Sequence, residues 1–116
     1  MKIPVLLALL ASLMLVAANA QTNGNAENGK HLFVKDGCYE CHGYAGQGGA
    51  AGARIADISL NAQGLIRYVR APAGQMPAYK EKVISDQQLT DIWAYLQSLP
   101  KAKSPKDIPL LNDLGK

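Results

Sequence analysis

Cys38-Tyr39-Glu40-Cys41-His42 is the stretch on which this chain turns. Two thiols three positions apart on one helical turn can each add across a vinyl group of the same porphyrin, and the imidazole beside the second thiol can take the metal from one face. These are the only two cysteines among 116 residues. The pattern assigns Cys38 and Cys41 to covalent attachment of one haem c, and His42 to its iron as the proximal ligand. Other uses of the motif fit less well. A thioredoxin-like redox pair needs a βαβ setting, and nothing before Cys38 reads as a buried strand. A structural zinc site wants four Cys/His ligands, yet there is no second C-x-x-C and His31 lies seven residues upstream. A disulfide across so short a loop would close almost no chain and stabilise little.

Upstream, Ile3 to Ala18 are almost uniformly apolar behind a single Lys2, and they end in Ala18-Asn19-Ala20 before the polar Gln21-Thr22-Asn23-Gly24. This is the n-region, h-region and A-x-A site of a secretory signal peptide, with cleavage predicted after Ala20. The apolar run is shorter than the ~20 residues of a membrane-spanning helix, so no span is expected after cleavage. The expected location is a bacterial periplasm. The chain thus divides into a signal peptide (1–20), one domain (21–100) and a tail (101–116).

Removal of residues 1–20 leaves 96, enough for a single domain. A domain of that size buries only roughly 60–65% of its extended surface and gains from a staple, which a covalent haem would supply. Lys2 leaves with the signal, so eleven Lys/Arg face nine Asp/Glu, a net charge of +2. That balance lacks the basic stripe expected of a nucleic-acid-binding protein.

Along the chain, Ala26, Gly29 and Phe33 recur at helical spacing behind Asn25 as N-cap, with Gly37 as the stop, which predicts a helix over 26–35. A glycine inside a helix costs about 1 kcal/mol relative to alanine, so Gly29 marks a place where another helix crosses closely. After His42, five of the ten residues 43–52 are glycine. That composition suits a loop whose backbone lies where a Cβ would clash, such as against a flat ring, with Ile55 and Ile58 offering apolar contacts. A second helix is predicted over 60–70, ended by Ala71-Pro72. Ser85-Asp86-Gln87-Gln88 reads as a capping box opening a third, with Leu89, Ile92, Trp93, Leu96 and Leu99 on one stripe and Pro100 beyond. The basic, proline-broken segment from Lys101 leads to Ile108-Pro109-Leu110-Leu111, an apolar patch expected to pack back on the domain. The fold class is all-α, with three main helices around one prosthetic group.

Met1 and Met14 depart with the signal, which leaves Met76 as the one methionine of the mature chain. It lies between Gly74 and Pro77 on a loop without a helical stripe around it. A thioether is a soft neutral ligand that suits haem iron, so Met76 is expected as the distal ligand. His31, on the first helix and close to Cys38 in sequence, reads as a surface residue. Tyr68, Tyr79, Arg54 and Trp93 are candidates to hydrogen-bond haem propionates.

With Cys38-x-x-Cys41-His42 near the N-terminus, Gly29 and Phe33 on a preceding helix, Met76-Pro77 later, and Trp93-Ala94-Tyr95-Leu96 on a C-terminal helix, the chain resembles class I c-type cytochromes over residues 25–100. The resemblance implies that the first and last helices cross with Gly29 and Phe33 against Tyr95. It also implies a backbone carbonyl to the proximal histidine from the region where many members read Gly-Pro and this chain reads Gly52-Ala53. The implied function is one-electron transfer by a periplasmic carrier, not enzyme catalysis. Its partners would be redox proteins such as a periplasmic dehydrogenase or a terminal oxidase or reductase, met as a monomer. The alternative is an electron-accepting cytochrome subunit of a periplasmic dehydrogenase complex. Arg67, Arg70, Lys80 and Lys82 bracket the Met76 loop and would form a mildly basic docking face.

Overall fold

Asn25 accepts the Asn28 backbone N–H on its side-chain oxygen at 3.0 Å, which starts helix α1 (Ala26–Lys35). Gly37, at φ 77°, stops it in the left-handed conformation that glycine adopts without a steric penalty. In this computed structural model, which describes residues 23–113 and side chains as far as residue 111, four further helices follow. They are α2 (Cys38–His42), α3 (Ala62–Arg70), α4 (Asp86–Ser98) and the short α5 (Pro109–Asp113), the last preceded by a 3-10 turn at Pro105–Asp107. The described residues contain no strand, so the architecture is all-α. None of their helices is long and apolar enough to cross a membrane. The signal peptide read over residues 1–20 lies outside the described residues.

Helix α3 begins two residues later than its apolar pattern suggests. The Asn61 side chain caps it by accepting the Gly64 N–H at 2.8 Å, and the Leu60 carbonyl is taken by Trp93 Nε1 at 2.8 Å. A side-chain cap thus outweighs the apolar Leu60 as the start signal. At α4 both halves of the capping box form, Gln88 N–H to Ser85 Oγ and Ser85 N–H to Gln88 Oε1.

The core joins Leu32 and Phe33 of α1, Leu65, Ile66 and Val69 of α3, and Leu89, Ile92, Tyr95 and Leu96 of α4, together with Ile84. Phe33 and Leu96 are wholly buried, and such a side chain contributes about 1.5–3 kcal/mol relative to exposure. Helices α1 and α4 cross at Gly29, where a Cβ would fall on the Asp91 carbonyl. One turn on, the Phe33 and Tyr95 rings meet at 5.5 Å between centroids, tilted by 59°. The crossing implied by the resemblance is therefore present, with Gly29 against Asp91–Ile92 and Phe33 against Tyr95.

Leu110 and Leu111 are 74% and 43% exposed, and among the described elements α5 packs only on the 3-10 turn before it. At the root of this tail Arg54 Nη2 donates to the Pro100 carbonyl at 2.8 Å and Lys101 lies 3.8 Å from Asp57. Pro105 and Pro109 turn the chain into short local helices, so the apolar patch faces outward.

Asp91 is not marked by the sequence pattern, because it falls off the stripe of Leu89, Ile92, Trp93, Leu96 and Leu99, on what reads as the polar face of the helix. It is buried, and its carboxylate accepts the Asn25 backbone N–H at 2.8 Å, Asn28 Nδ2 at 2.7 Å and Gln87 Nε2 at 3.1 Å. Burial pushes its pKa up, but the three N–H donors outweigh that and hold it below the usual carboxylate value. A carboxyl whose folded-state pKa is depressed stabilises the fold above its unfolded pKa of about 3.9, and the contribution is lost as pH falls through the folded value. Replacement of Asp91 by Asn should therefore cost about 1.5–3 kcal/mol at neutral pH, the range for hydrogen bonds to a charged group. Urea denaturation from pH 7 to pH 3 checks this: the gap between wild type and Asp91→Asn should narrow in acid, and a constant gap would mean that the charge is not what stabilises.

Candidate haem-binding site

Only Asp36 and Gly37 separate α1 from α2, so the sharp stop at Gly37 sets Cys38, Cys41 and His42 directly against the end of the first helix. Neither thiol is in a disulfide; Cys38 is half-buried and Cys41 exposed. Burial, with the Asp36 charge adding to it, pushes the Cys38 thiol up to about 11.

His42 Nδ1 lies 2.7 Å from the Ala53 carbonyl oxygen. A carbonyl can only accept, so Nδ1 carries the proton and Nε2 presents its lone pair. This is the arrangement by which a metal-ligating histidine is oriented and made more basic. The chain lacks the proline that many class I members have here, and the carbonyl nonetheless sits where the ring needs it. Gly52 permits the approach: a Cβ there would come within 2.7 Å of the Cys41 oxygen and 3.1 Å of His42 Nδ1.

The glycine-rich loop is folded against protein. Gly48 N–H donates to the His42 carbonyl at 2.8 Å, Gly49 N–H to Gly52 at 2.9 Å, and the N–H groups of Ile55 and Ala56 to Gly46 at 2.8 and 2.9 Å. At Gly48, φ 82°, a Cβ would meet Arg54 N at 2.6 Å. The glycines that the sequence suggested would lie against a flat ring thus serve first to double the loop back on itself and deliver the Ala53 carbonyl. From the far side α4 holds it: Tyr95 Oη donates to the Tyr44 carbonyl, Gln97 Nε2 to Ile58 and Trp93 Nε1 to Leu60, each at 2.8 Å.

Met76 is half-buried on the loop between α3 and α4. It packs on the same apolar cluster as Cys38, Ile55 and Ile58, which brings the attachment turn and the methionine loop to the margin of one core. The donor set fits haem iron: an imidazole held through Nδ1 with Nε2 turned to the other side, a thioether, and two thiols at the spacing of the two vinyl groups. His31 is exposed on α1. Of the propionate candidates, Tyr68 is 43% exposed, whereas Tyr79 Oη donates to the Asp36 carbonyl at 3.2 Å, and Arg54 and Trp93 donate to Pro100 and Leu60. Each of the last three ties two segments of backbone together. Arg67, Lys80 and Lys82 are exposed as expected of a docking face, but Arg70 is turned inward on three acceptors.

Residues 24–96 match the family described as cytochrome C oxidase, cbb3-type, subunit III. The chain belongs to this family of c-type cytochrome domains. Membership implies haem c and haem-based electron transfer. A relative, the menaquinol:cytochrome c reductase cytochrome c subunit of Bacillus subtilis (strain 168), is 33% identical over 81 residues. That match takes in 70% of this chain but only 31% of the relative, so the chain spans about a third of that protein's length. No solved structure matches.

Two glycines of the cytochrome's loop make an internal comparison. Gly52→Ala should destabilise the domain by about 1–3 kcal/mol, the usual cost of overpacking. Gly49, with nothing within 4 Å of its added Cβ and no positive φ, should tolerate alanine to within about 0.5 kcal/mol. Thermal unfolding of the two variants side by side measures the difference; equal losses would mean that the close approach of Gly52 to His42 is not what the glycine serves.

Proposed function

We propose that this cytochrome is a periplasmic one-electron carrier with one haem c joined covalently through Cys38 and Cys41, ligated by His42 and Met76 and arranged as in class I. The observation that carries the reading is the hydrogen bond from His42 Nδ1 to the Ala53 carbonyl, which sets the ring with Nε2 presented beside two uncommitted thiols. Bound haem would supply a single ferric/ferrous couple. Met76 would favour the ferrous state, since a His/Met pair raises the potential relative to harder ligation. With two protein side chains on the iron, no substrate could reach it, and the protein would move electrons rather than catalyse a reaction. Export after cleavage at Ala20 is supported by the Ala18-Asn19-Ala20 pattern behind the apolar run. Exposed Arg67, Lys80 and Lys82 would favour redox partners with acidic surfaces.

A second reading makes the chain the cytochrome subunit of a larger redox complex. It is supported by the relative, itself named a subunit, and by the outward-facing Leu110 and Leu111 beyond the domain. Co-purification of a stoichiometric partner would favour it over the free carrier.

Acid–acetone extraction tests covalency: the colour should stay with the chain, and haem that extracts freely overturns the attachment through Cys38 and Cys41. Met76→Ala should convert the ferric iron at least partly to high spin, lower the potential and let carbon monoxide bind the reduced protein. An unchanged ferric spectrum in that variant would remove Met76 as the ligand.

A further inference from the structure

Arg70 is the last residue of α3, and its guanidinium reaches three points at once. Nη1 donates to the Tyr79 carbonyl at 2.9 Å, and Nη2 donates to the Ile84 carbonyl at 2.8 Å and to Asp86 Oδ1 at 2.6 Å. Asp86 opens α4, and Tyr79 lies three residues beyond Met76. The same stem is fastened twice more, since Tyr79 N–H donates to the Val69 carbonyl at 3.1 Å and Tyr79 Oη to the Asp36 carbonyl at 3.2 Å beside the attachment turn. Residues 71–78 therefore form an excursion closed at its base, with Met76 inside it. We propose that Arg70 is a positioning residue for Met76, a clamp that joins the end of α3 to both the returning stem of the methionine loop and the start of α4. This rests on the reading of Met76 as iron ligand.

The chemistry of the clamp is specific to arginine. Asp86 is 57% exposed in its side chain, so the ion pair by itself contributes little. The two carbonyls are part-buried, and they need a planar fork with several N–H groups held in fixed directions. A lysine ammonium in the same place is a single centre and cannot span Tyr79, Ile84 and Asp86 together. A loop whose base is open would leave Met76 in place for a smaller fraction of the time. A competing ligand reads that fraction directly, because its apparent affinity scales with the population of the methionine-dissociated state.

The test uses imidazole titration of the ferric holoprotein, alongside the far-red charge-transfer band of thioether-ligated haem. Arg70→Gln should tighten imidazole binding about ten- to hundredfold, corresponding to loss of one charge-assisted hydrogen bond's contribution to loop closure, and should weaken the band. Arg70→Lys should fall between Arg70→Gln and wild type, and Asp86→Asn should change affinity less than either. Asp91→Asn, which weakens the α1–α4 contact away from this loop, should lower the unfolding temperature without moving imidazole affinity. If Arg70→Gln lowers only the unfolding temperature, or if Arg70→Lys matches wild type, the proposal is overturned. Should Arg70→Gln fail to assemble, Arg70→Lys carries the same comparison with charge and bulk retained. Failure of the underlying reading looks different: Met76→Ala would then leave imidazole affinity and the ferric spectrum unchanged, whatever Arg70 does.

Discussion

The close contact of α1 with α4 is the constraint on which the rest of this small domain depends. It exists because residue 29 has no side chain, so that the backbone of α1 can rest on the Asp91–Ile92 segment of α4. Phe33 and Tyr95 then meet one turn along, and Asp91 answers the orphan N–H of Asn25 and the Asn28 amide at the start of α1. An apolar contact and a buried charge-assisted network thus act on the same two helices from opposite ends of α1. The charge-assisted end fixes the register, because the donors at Asn25 and Asn28 meet the carboxylate in only one alignment.

Once α4 is placed, its second half works as a spine for irregular chain. Trp93, Tyr95 and Gln97 each hand a side-chain N–H or O–H to a main-chain carbonyl in residues 44–60. The main chain of α4 takes part as well, with Asp57 N–H donating to the Leu96 carbonyl at 2.9 Å. A loop this rich in glycine has a large conformational entropy to lose, and one hydrogen bond would not hold it. Several long-range bonds to a rigid helix do, and the position of the Ala53 carbonyl over His42 follows from them.

The elements that could be read from sequence are those written in local chemistry. The caps at Asn25 and Ser85, the stop at Gly37, the break at Ala71-Pro72 and the C-x-x-C-H turn all depend on residues within four positions of one another, and the structure forms each of these local features. What escaped depends on partners far away in the chain. Arg70 looked like one of four docking cations because its acceptors at Tyr79 and Ile84 are main-chain carbonyls, which composition does not reveal. Asp91 finds two of its three donors, at Asn25 and Asn28, more than sixty residues upstream. The apolar patch at Ile108–Leu111 was expected to fold back because apolar residues are usually covered; Leu110 and Leu111 are exposed on a short helix that opens at Pro109.

The two sides of the candidate site are held by different kinds of constraint, and this bears on how each can respond to change. His42 is fixed by a single short hydrogen bond to a loop that is itself bound at many points, so its ring orientation is set by the surrounding fold. Met76 belongs to a segment tied by hydrogen bonds at its base, through Arg70 and Tyr79, and by the packing of Met76 itself on the core, with Gly74 exposed at φ 72° near its tip. A distal ligand presented in this way would keep freedom of its own, since opening its loop would leave the α1–α4 contact intact. On the proposed ligation the proximal side would be as stable as the fold, and the methionine side as stable as its clamp.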